Sequence, residues 1–136
     1  TVFFEWRDVN KAKYPYFIRV RGADILSLGC IYESWVDRST GEIRNTFSIL
    51  TTPANPLMEH IHNLKKRMPL ILAREDEQKW IDPDLPTEEI IALIKPFPQT
   101  EMRAYTVSKL ANGSKNNRNV PEILNEVEYA ELPAFQ

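Results

Sequence analysis

The chain has few of the residues from which most catalytic and metal sites are built. Its 136 residues include one cysteine and two histidines, which excludes an internal disulfide and a cysteine-cluster zinc site. Only four glycines occur, and they form no glycine-rich phosphate loop. No apolar run approaches the roughly 20 residues of a membrane-spanning helix, and the first residues do not resemble a signal peptide. We therefore expect a cytoplasmic protein with no cofactor, no metal and no membrane partner.

The overall charge gives no sign of a nucleic-acid binder. Formal net charge is -2, so any contact with a phosphate backbone must come from a local patch. A hydrophobic content of 43% and a charged content of 26% are ordinary for a globular domain. The chain starts at Thr1 with an apolar, strand-like segment. We therefore expect residues 1–136 to form a single domain whose N-terminal part precedes Thr1, with strand edges and apolar faces left uncovered.

The hydrophobic pattern predicts an α+β fold with mostly antiparallel strands. Asn55 and Pro56 are suited to the cap and first position of a helix. Pro15 predicts that its strand is unpaired or at an edge there, and Gly29 predicts a bulge or a close backbone approach. Because the links between strands are short, we expect one curved antiparallel sheet or open β-barrel with flanking helices. The predicted strands are residues 2–6, 14–20, 25–36, 43–51, 68–72 and 102–108, and the predicted helical segments are 57–65, 75–81 and 87–94.

Four features could carry chemistry, and each also has an ordinary structural interpretation. Glu5 lies between aromatic residues, where desolvation would suit it to acid-base work, but spacing alone favours a solvent-facing position on a half-exposed strand. His60 and His62 would point about 200° apart on a helix, so at most one of them faces a given site. The basic residues 65–67 could grip phosphate or simply end a helix. Cys30 lies in an apolar run and is expected to be an inert buried thiol.

Several segments, in order along nearly the whole chain, resemble the SOS response-associated peptidase (SRAP) family. FFEW at residues 3–6 and YPYFI at residues 14–18 resemble the opening motifs of that family. GCIYESW at 29–35 and FSILTTPAN at 47–55 resemble its central strands. Ile61-His62 followed by RMPLIL at 67–72 resembles its I-H…R-M-P motif, and residues 107–117 resemble its closing motif.

The resemblance implies a DNA-damage protein that binds abasic sites in single-stranded DNA and forms a reversible thiazolidine crosslink. The family's nucleophile is an N-terminal cysteine, exposed by autopeptidase removal of the initiator Met. By the match, Glu5 and His62 are the catalytic acid-base pair of this lyase-like chemistry. Thr51, Lys66 and Arg67 are the implied DNA-binding residues. The expected partner is single-stranded DNA with abasic sites, and the expected state is a monomer.

Two departures from the family pattern bear on activity. The family's M-C-G-R start is absent and would precede Thr1, so we expect these residues alone to be inactive. The family commonly has H-x-R-M-P, whereas residues 63–66 separate His62 from Arg67 here. Two alternatives stay open: a thiol peptidase or amide hydrolase, which needs a cysteine near a histidine, and a non-enzymatic binding domain.

Overall fold

The computed structural model describes residues 2–113 and 119–132. The part of the closing motif at residues 115–117 lies outside the described residues. Within them, the strands are β1 (Phe3–Val9), β2 (Ala12–Val20), β3 (Ser27–Leu28), β4 (Cys30–Val36), β5 (Ile43–Ile49), β6 (Thr51–Pro53), β7 (Arg67–Pro69), β8 (Ile71–Leu72) and β9 (Met102–Thr106). The α-helices are α1 (Pro56–Ile61), α2 (Glu77–Trp80) and α3 (Thr87–Ala92), and 3-10 helices occupy Arg74–Asp76, Gln99–Glu101, Lys109–Asn112 and Pro121–Leu124.

The chain divides into two compact units. The first consists of Thr1–Leu26, Pro53–Met68 and Pro98–Gln136, and the second of Ser27–Thr52 and Pro69–Phe97. Strands β6 and β7 form a separate two-stranded sheet.

A three-stranded antiparallel sheet in the order β1-β2-β9 forms the centre of the first unit. Asn10 and Lys11, with φ of 51° and 66°, make the two-residue turn between β1 and β2. Positive φ at both positions matches the right-handed twist of the flanking strands. On one face, Phe17 lies 6.0 Å from Phe4 and 4.8 Å from Tyr105 between ring centroids. These rings pack on a buried cluster that includes Val107 and Ile123 of the C-terminal segment. The other face carries Arg7, which donates a hydrogen bond to the carbonyl of His60 in α1.

Helix α1 begins as the sequence predicts and ends earlier. The Asn55 side chain accepts a hydrogen bond of 2.9 Å from the Met58 N–H, and Pro56 is the first helical residue. Asn55 Nδ2 also lies 3.2 Å from the sulfur of Met102 on β9. Met58 and Ile61 are fully buried beneath the helix. The helix stops at Ile61 rather than at residue 65, because His62 leaves helical geometry with φ -86° and ψ 56°.

The prediction that Pro15 lies at an unpaired or edge position is wrong. Strand β2 is the central strand, and Pro15 pairs in register with Trp6 while it is fully buried. The Pro15 carbonyl accepts a hydrogen bond of 3.0 Å from the Val107 N–H. A residue's N–H and C=O point to the same side of a strand, so the missing donor faces the side where β9 has just ended at Thr106.

In the second unit, Gly29 divides the predicted strand 25–36 into β3 and β4. Strand β3 pairs with β8, and β4 pairs with β5. The Gly29 N–H donates to Leu70 O at 2.9 Å, and its carbonyl accepts from the Leu50 N–H at 2.9 Å. A Cβ at this position would lie 2.8 Å from Leu70 Cγ, so the predicted close approach is confirmed.

The hairpin of β4 and β5 exposes large apolar side chains. Its strands pair in full register from Cys30 with Ile49 to Val36 with Ile43. Tyr32 is 85% exposed and Phe47 is 72% exposed.

The α+β class with antiparallel sheets is confirmed, and the described strands do not close into a barrel. The described strands fall into four sheets rather than one, because the chain changes partners at Gly29 and again at Leu50 and Leu70. The described residues contain no helix long and apolar enough to cross a membrane.

Candidate functional site

Glu5 lies at the middle of β1 and is half-buried. Its partner in register is Tyr16 on β2. Directly opposite residues of an antiparallel pair share a face, as do residues two apart on one strand. Glu5, Arg7 and Tyr16 therefore lie on one face of the sheet, and Phe4 and Trp6 lie on the other. Burial raises the pKa of Tyr16, and the positive charge of Arg7 partly opposes that shift.

Arg7 ties helix α1 to the face of the sheet that carries Glu5. The Arg7 Nη1 donates a hydrogen bond to the backbone carbonyl of His60. The pKa of the His60 imidazole is lowered, chiefly by burial and further by the Arg7 guanidinium. Both causes disfavour a second positive charge, so His60 is neutral at pH 7.

His62 is the C-cap of α1, and its ring is held by the main chain that follows. Its N–H donates to Met58 O at 2.7 Å, and its carbonyl accepts from the Lys66 N–H at 2.9 Å. His62 Nδ1 lies 2.8 Å from the carbonyl oxygen of Arg67. Because a carbonyl can only accept, Nδ1 carries the proton and donates it. In the neutral ring the lone pair available to a substrate is therefore on Nε2.

The residues between His62 and Arg67 form a closed turn. The bond between the His62 carbonyl and Lys66 N–H closes the turn, and Lys66 adopts a φ of 49°. The chain thereby returns, so that the Arg67 carbonyl reaches the His62 ring. Residues 63–66 add length to the family's H-x-R-M-P spacing, yet they leave the Arg67 main chain next to His62.

The two basic side chains assigned to DNA are both exposed. Lys66 Nζ makes an ion pair of 3.0 Å with Glu59 Oε1, in which the side chains are 60% and 48% exposed. A surface pair of this kind contributes little, so Lys66 can exchange Glu59 for a phosphate at small cost. Arg67 is the first residue of β7.

Thr51 lies in the second unit, where it is the exposed first residue of β6. The other assigned residues, Glu5, His62, Lys66 and Arg67, belong to the first unit. Within that unit, β1 carries Glu5, and His62 ends a helix bound to β1 through Arg7. That Glu5 and His62 face one cleft, with Thr51 and Arg67 on its walls and His60 pointing elsewhere, stays a prediction.

Two residues beside Glu5 and His62, Arg7 and Asn63, were not predicted from the sequence. The Asn63 side chain accepts from the Asp8 N–H at 3.0 Å and donates to the Asp8 carbonyl at 2.8 Å. Arg7 could have been found, because strand alternation places it on the face of Glu5. Nothing in the spacing of Asn63 signals its contact with a residue so distant in sequence.

The opposite face of β1 borders an apolar cavity of about 710 Å³. Phe4 and Trp6 line it together with Val120, Pro121 and Ile123 of the C-terminal segment. Trp6 Nε1 donates to Asn112 Oδ1 at 2.5 Å, which fixes the indole at the edge of this cavity. Trp6 therefore lies on the face of β1 opposite to Glu5.

Cys30 is half-buried at the start of β4, and its Sγ donates to the Leu28 carbonyl at 3.5 Å. Among the residues that the structure describes, no group of three or more His, Cys, Asp or Glu could hold a metal ion.

Comparison with known proteins decides the family. Residues 1–114 match the family model described as SOS response associated peptidase (SRAP). The chain belongs to the SRAP family. Abasic site processing protein YoqW of Bacillus subtilis (strain 168) is 36% identical over 124 residues, which cover 90% of this SRAP chain and 53% of YoqW. Abasic site processing protein HMCES of Gallus gallus is 30% identical over 146 residues, covering 93% of this chain and 41% of HMCES.

Solved structures have the same fold as this SRAP chain. A crystal structure of a Bacteroides thetaiotaomicron protein superposes with a TM-score of 0.84 at 42% identity, covering 94% of this chain and 54% of that one. A Bordetella bronchiseptica protein has a TM-score of 0.68 at 20% identity, covering 79% and 51%, and shows the fold alone. The SRAP chain spans about half the length of the curated relatives it matches, 53% in YoqW.

Proposed function

We propose that this SRAP chain carries the acid-base residues of a protein that binds abasic sites in single-stranded DNA and crosslinks to them reversibly. The observation that supports this most directly is the naming of its relatives: YoqW and HMCES are both abasic site processing proteins. The chain contains the SRAP counterparts of an acid-base pair, Glu5 and His62. The proposed nucleophile is the family's N-terminal cysteine, exposed by autopeptidase removal of the initiator Met.

The crosslink is a thiazolidine that forms with loss of one water molecule. The cysteine amine adds to the aldehyde carbon of the ring-opened abasic sugar and gives a carbinolamine. Protonation of its hydroxyl lets it leave as water, and an imine forms. The cysteine thiol then gives up its proton to the imine nitrogen while its sulfur bonds to the same carbon. Reversal takes up one water molecule and restores the aldehyde.

Glu5 and His62 manage the protons of these steps. Loss of hydroxide needs an acid, and a half-buried carboxyl on a strand is suited to supplying that proton. The hydrogen bond of His62 Nδ1 to Arg67 O leaves Nε2 as the atom that accepts or returns a proton. Thr51, Lys66 and Arg67 contribute the contacts to the DNA backbone.

The test is covalent capture of abasic DNA by the protein made from its full gene. We expect an abasic single-stranded oligonucleotide to give a product that survives denaturation in a gel. A matched oligonucleotide with a reduced abasic site has no aldehyde and is expected to give none. To test reversal, fresh abasic competitor DNA is added after the crosslink has formed. Slow transfer of the protein from the first oligonucleotide to the competitor would show that the crosslink reverses.

Other outcomes would select the alternatives. Binding that never survives denaturation would overturn crosslinking and leave a non-enzymatic DNA-binding domain. Amide hydrolysis that is lost in Cys30→Ala, with no captured DNA, would establish a thiol peptidase instead. A gene product without cysteine after its initiator Met would remove the proposed nucleophile.

A further inference from the structure

Residues on both sides of His62 form hydrogen bonds with β1. Before His62, the carbonyl of His60 accepts a hydrogen bond from Arg7. After His62, the Asn63 amide makes two bonds with the Asp8 backbone, of 3.0 Å and 2.8 Å. Arg7 and Asp8 are adjacent on the strand that carries Glu5. The contacts span more than fifty positions in sequence, with separations of 53 and 55.

The Asn63 side chain replaces a neighbouring strand at the free edge of β1. In the sheet order β1-β2-β9, no strand of the described residues lies beside the outer side of β1. The N–H and C=O of Asp8 both point to that side, because both are bonded to Asn63. A primary amide offers one acceptor and two donors, so it satisfies both backbone groups at once.

These hydrogen bonds restrict the position of His62 more than the end of a helix alone would. A helix C-cap is the point at which α-helices fray. Here the residues before and after the cap are bonded to a sheet strand, and the ring itself is bonded through Nδ1 to Arg67 O. The backbone position of His62 is therefore defined with respect to β1, and the rotation of its ring is defined with respect to the Arg67 main chain.

We propose that Asn63 is a positioning residue for His62, with Arg7 in a supporting role. The inference rests on the proposed function, since it assigns to Asn63 the placement of the His62 Nε2 relative to the strand of Glu5. Asn63 itself touches no reacting atom. Its loss would allow the His62 turn to move away from the edge of β1, and proton transfer falls steeply with misplacement.

The experiment measures single-turnover crosslinking of the full-length protein at saturating abasic DNA. A shift of about 1 Å in a reacting group can cost up to about 100-fold, so we expect Asn63→Ala to lower the rate constant roughly 10- to 100-fold. We expect its Kd for DNA with a reduced abasic site to stay unchanged. Asn63→Asp keeps the acceptor for the Asp8 N–H and loses the donor, and is expected to fall between wild type and Asn63→Ala.

The matched control is Asn45→Ala. Asn45 is an exposed asparagine of β5 whose Oδ1 accepts from Ser34 Oγ at 2.8 Å. Its removal deletes one polar amide in the second unit, and we expect a crosslinking rate equal to that of the wild type. An equal loss in both variants would assign the effect to general destabilisation and overturn the proposal.

A double-mutant cycle distinguishes positioning from structure. If Asn63 acts through His62, then Asn63→Ala adds no further loss in a protein that already carries His62→Ala. Additive losses would overturn the inference. A failure of the proposed function looks different, because the wild type would then form no crosslink, or His62→Ala would react at the wild-type rate.

A spectroscopic measurement keeps the proposal testable if Asn63→Ala folds poorly. Arg7→Lys retains the positive charge on β1 but loses the planar donor group that reaches the His60 carbonyl. We expect the NMR resonances of the His62 ring to change in Arg7→Lys and in Asn63→Asp. Unchanged ring resonances in both folded variants would contradict the role of these residues.

Discussion

At the scale of single residues, the protonation of two histidines is set by different neighbours. His60 is kept neutral by burial and by Arg7. His62 has its Nδ1 proton fixed by the Arg67 carbonyl, which leaves Nε2 as its basic atom. Two histidines that look equivalent in sequence therefore differ in what they can do. The ring hydrogen bond of His62 defines which of its nitrogens is basic.

The first residue-scale prediction concerns Glu5. If its carboxyl donates the proton that removes hydroxide, Glu5→Gln keeps the shape of the side chain and abolishes the transfer. We expect crosslinking by the full-length protein to slow about 10²-fold, the lower end for one acid-base group. The measurement is a quenched time course on a denaturing gel. Glu33→Gln, an exposed position on β4, serves as the control, and equal rates for wild type and Glu5→Gln would remove Glu5 from the mechanism.

The second residue-scale prediction concerns the pH dependence of stability. The pKa of His60 is lowered from 6.5 in the folded protein, so on acidification the unfolded chain takes up this proton first. The contribution of neutral His60 to the free energy of unfolding is therefore fully present above about pH 6.5. It is lost as the pH falls through the lowered pKa of His60. We expect the free energy of unfolding, from urea titrations between pH 7.5 and 5, to fall less in His60→Gln than in wild type. Parallel pH profiles would mean that His60 titrates normally in the folded state.

The residues of the candidate site could be predicted from the sequence to very different degrees. Glu5, His62, Thr51, Lys66 and Arg67 were proposed from short motifs, and their joint role stays a prediction. Arg7 follows from strand alternation once Glu5 is chosen. Asn63 could not be found, because its partner Asp8 is 55 positions away and nothing local records that pairing. Long-range side-chain contacts depend on tertiary packing, which periodicity does not encode.

At the scale of secondary-structure elements, the sequence predicts an element boundary reliably where one residue type forms a hydrogen bond with a specific backbone group. Asn55 and Pro56 start α1 as predicted, since the cap accepts the Met58 N–H. The end of α1 was placed too late, because residues 62–66 are helix-compatible by propensity and yet close into a turn. The prediction that Pro15 lies at an edge was wrong for a similar reason, because the sequence does not show where the neighbouring strand ends. The missing donor of Pro15 is harmless in a central strand whose neighbour ends at Thr106.

An element-scale prediction follows for the cap of α1. Asn55→Ala removes the acceptor of the Met58 N–H and leaves that donor without its cap. Loss of an N-cap costs about 1 kcal/mol, within a range of about 0.5–2 kcal/mol. Equilibrium urea unfolding is the measurement, with Asn45→Ala as the exposed control, expected within about 0.5 kcal/mol of wild type. No difference between the two variants would show that the cap is dispensable.

Another element-scale prediction concerns the change of partners at Gly29. A methyl group there would lie 2.8 Å from Leu70 Cγ and 3.3 Å from Trp80 Cζ2, both within the second unit. Overpacking of this kind costs about 1–3 kcal/mol, so we expect Gly29→Ala to lower the free energy of unfolding by that amount. Gly29→Ala combined with Leu70→Val, which shortens the opposing side chain, is expected to recover part of the loss. No loss in the single variant would show that Leu70 moves aside freely.

At the scale of the whole molecule, charge is distributed so that a DNA contact must be local. The net charge of -2 gives no general attraction to phosphates. The basic residues 65–67 lie at the end of the turn that follows His62, and Lys66 and Arg67 are exposed. Any electrostatic contribution from this turn would therefore act beside the imidazole. Such a contact would position DNA for the chemistry of His62 as well as hold it.

The last prediction tests this local contact through its salt dependence. Each phosphate contact with single-stranded DNA contributes about -0.7 to the slope of log K against log salt concentration. We expect Arg67→Ala in the full-length protein to weaken binding to single-stranded DNA and to reduce the steepness of that slope by about 0.7. Arg44→Ala is the matched control, since Arg44 is exposed in the second unit and pairs with Glu42 at 2.7 Å. An unchanged slope in Arg67→Ala would mean that other residues contact the DNA backbone. An equal change in Arg44→Ala would mean that overall charge, rather than the turn after His62, governs binding.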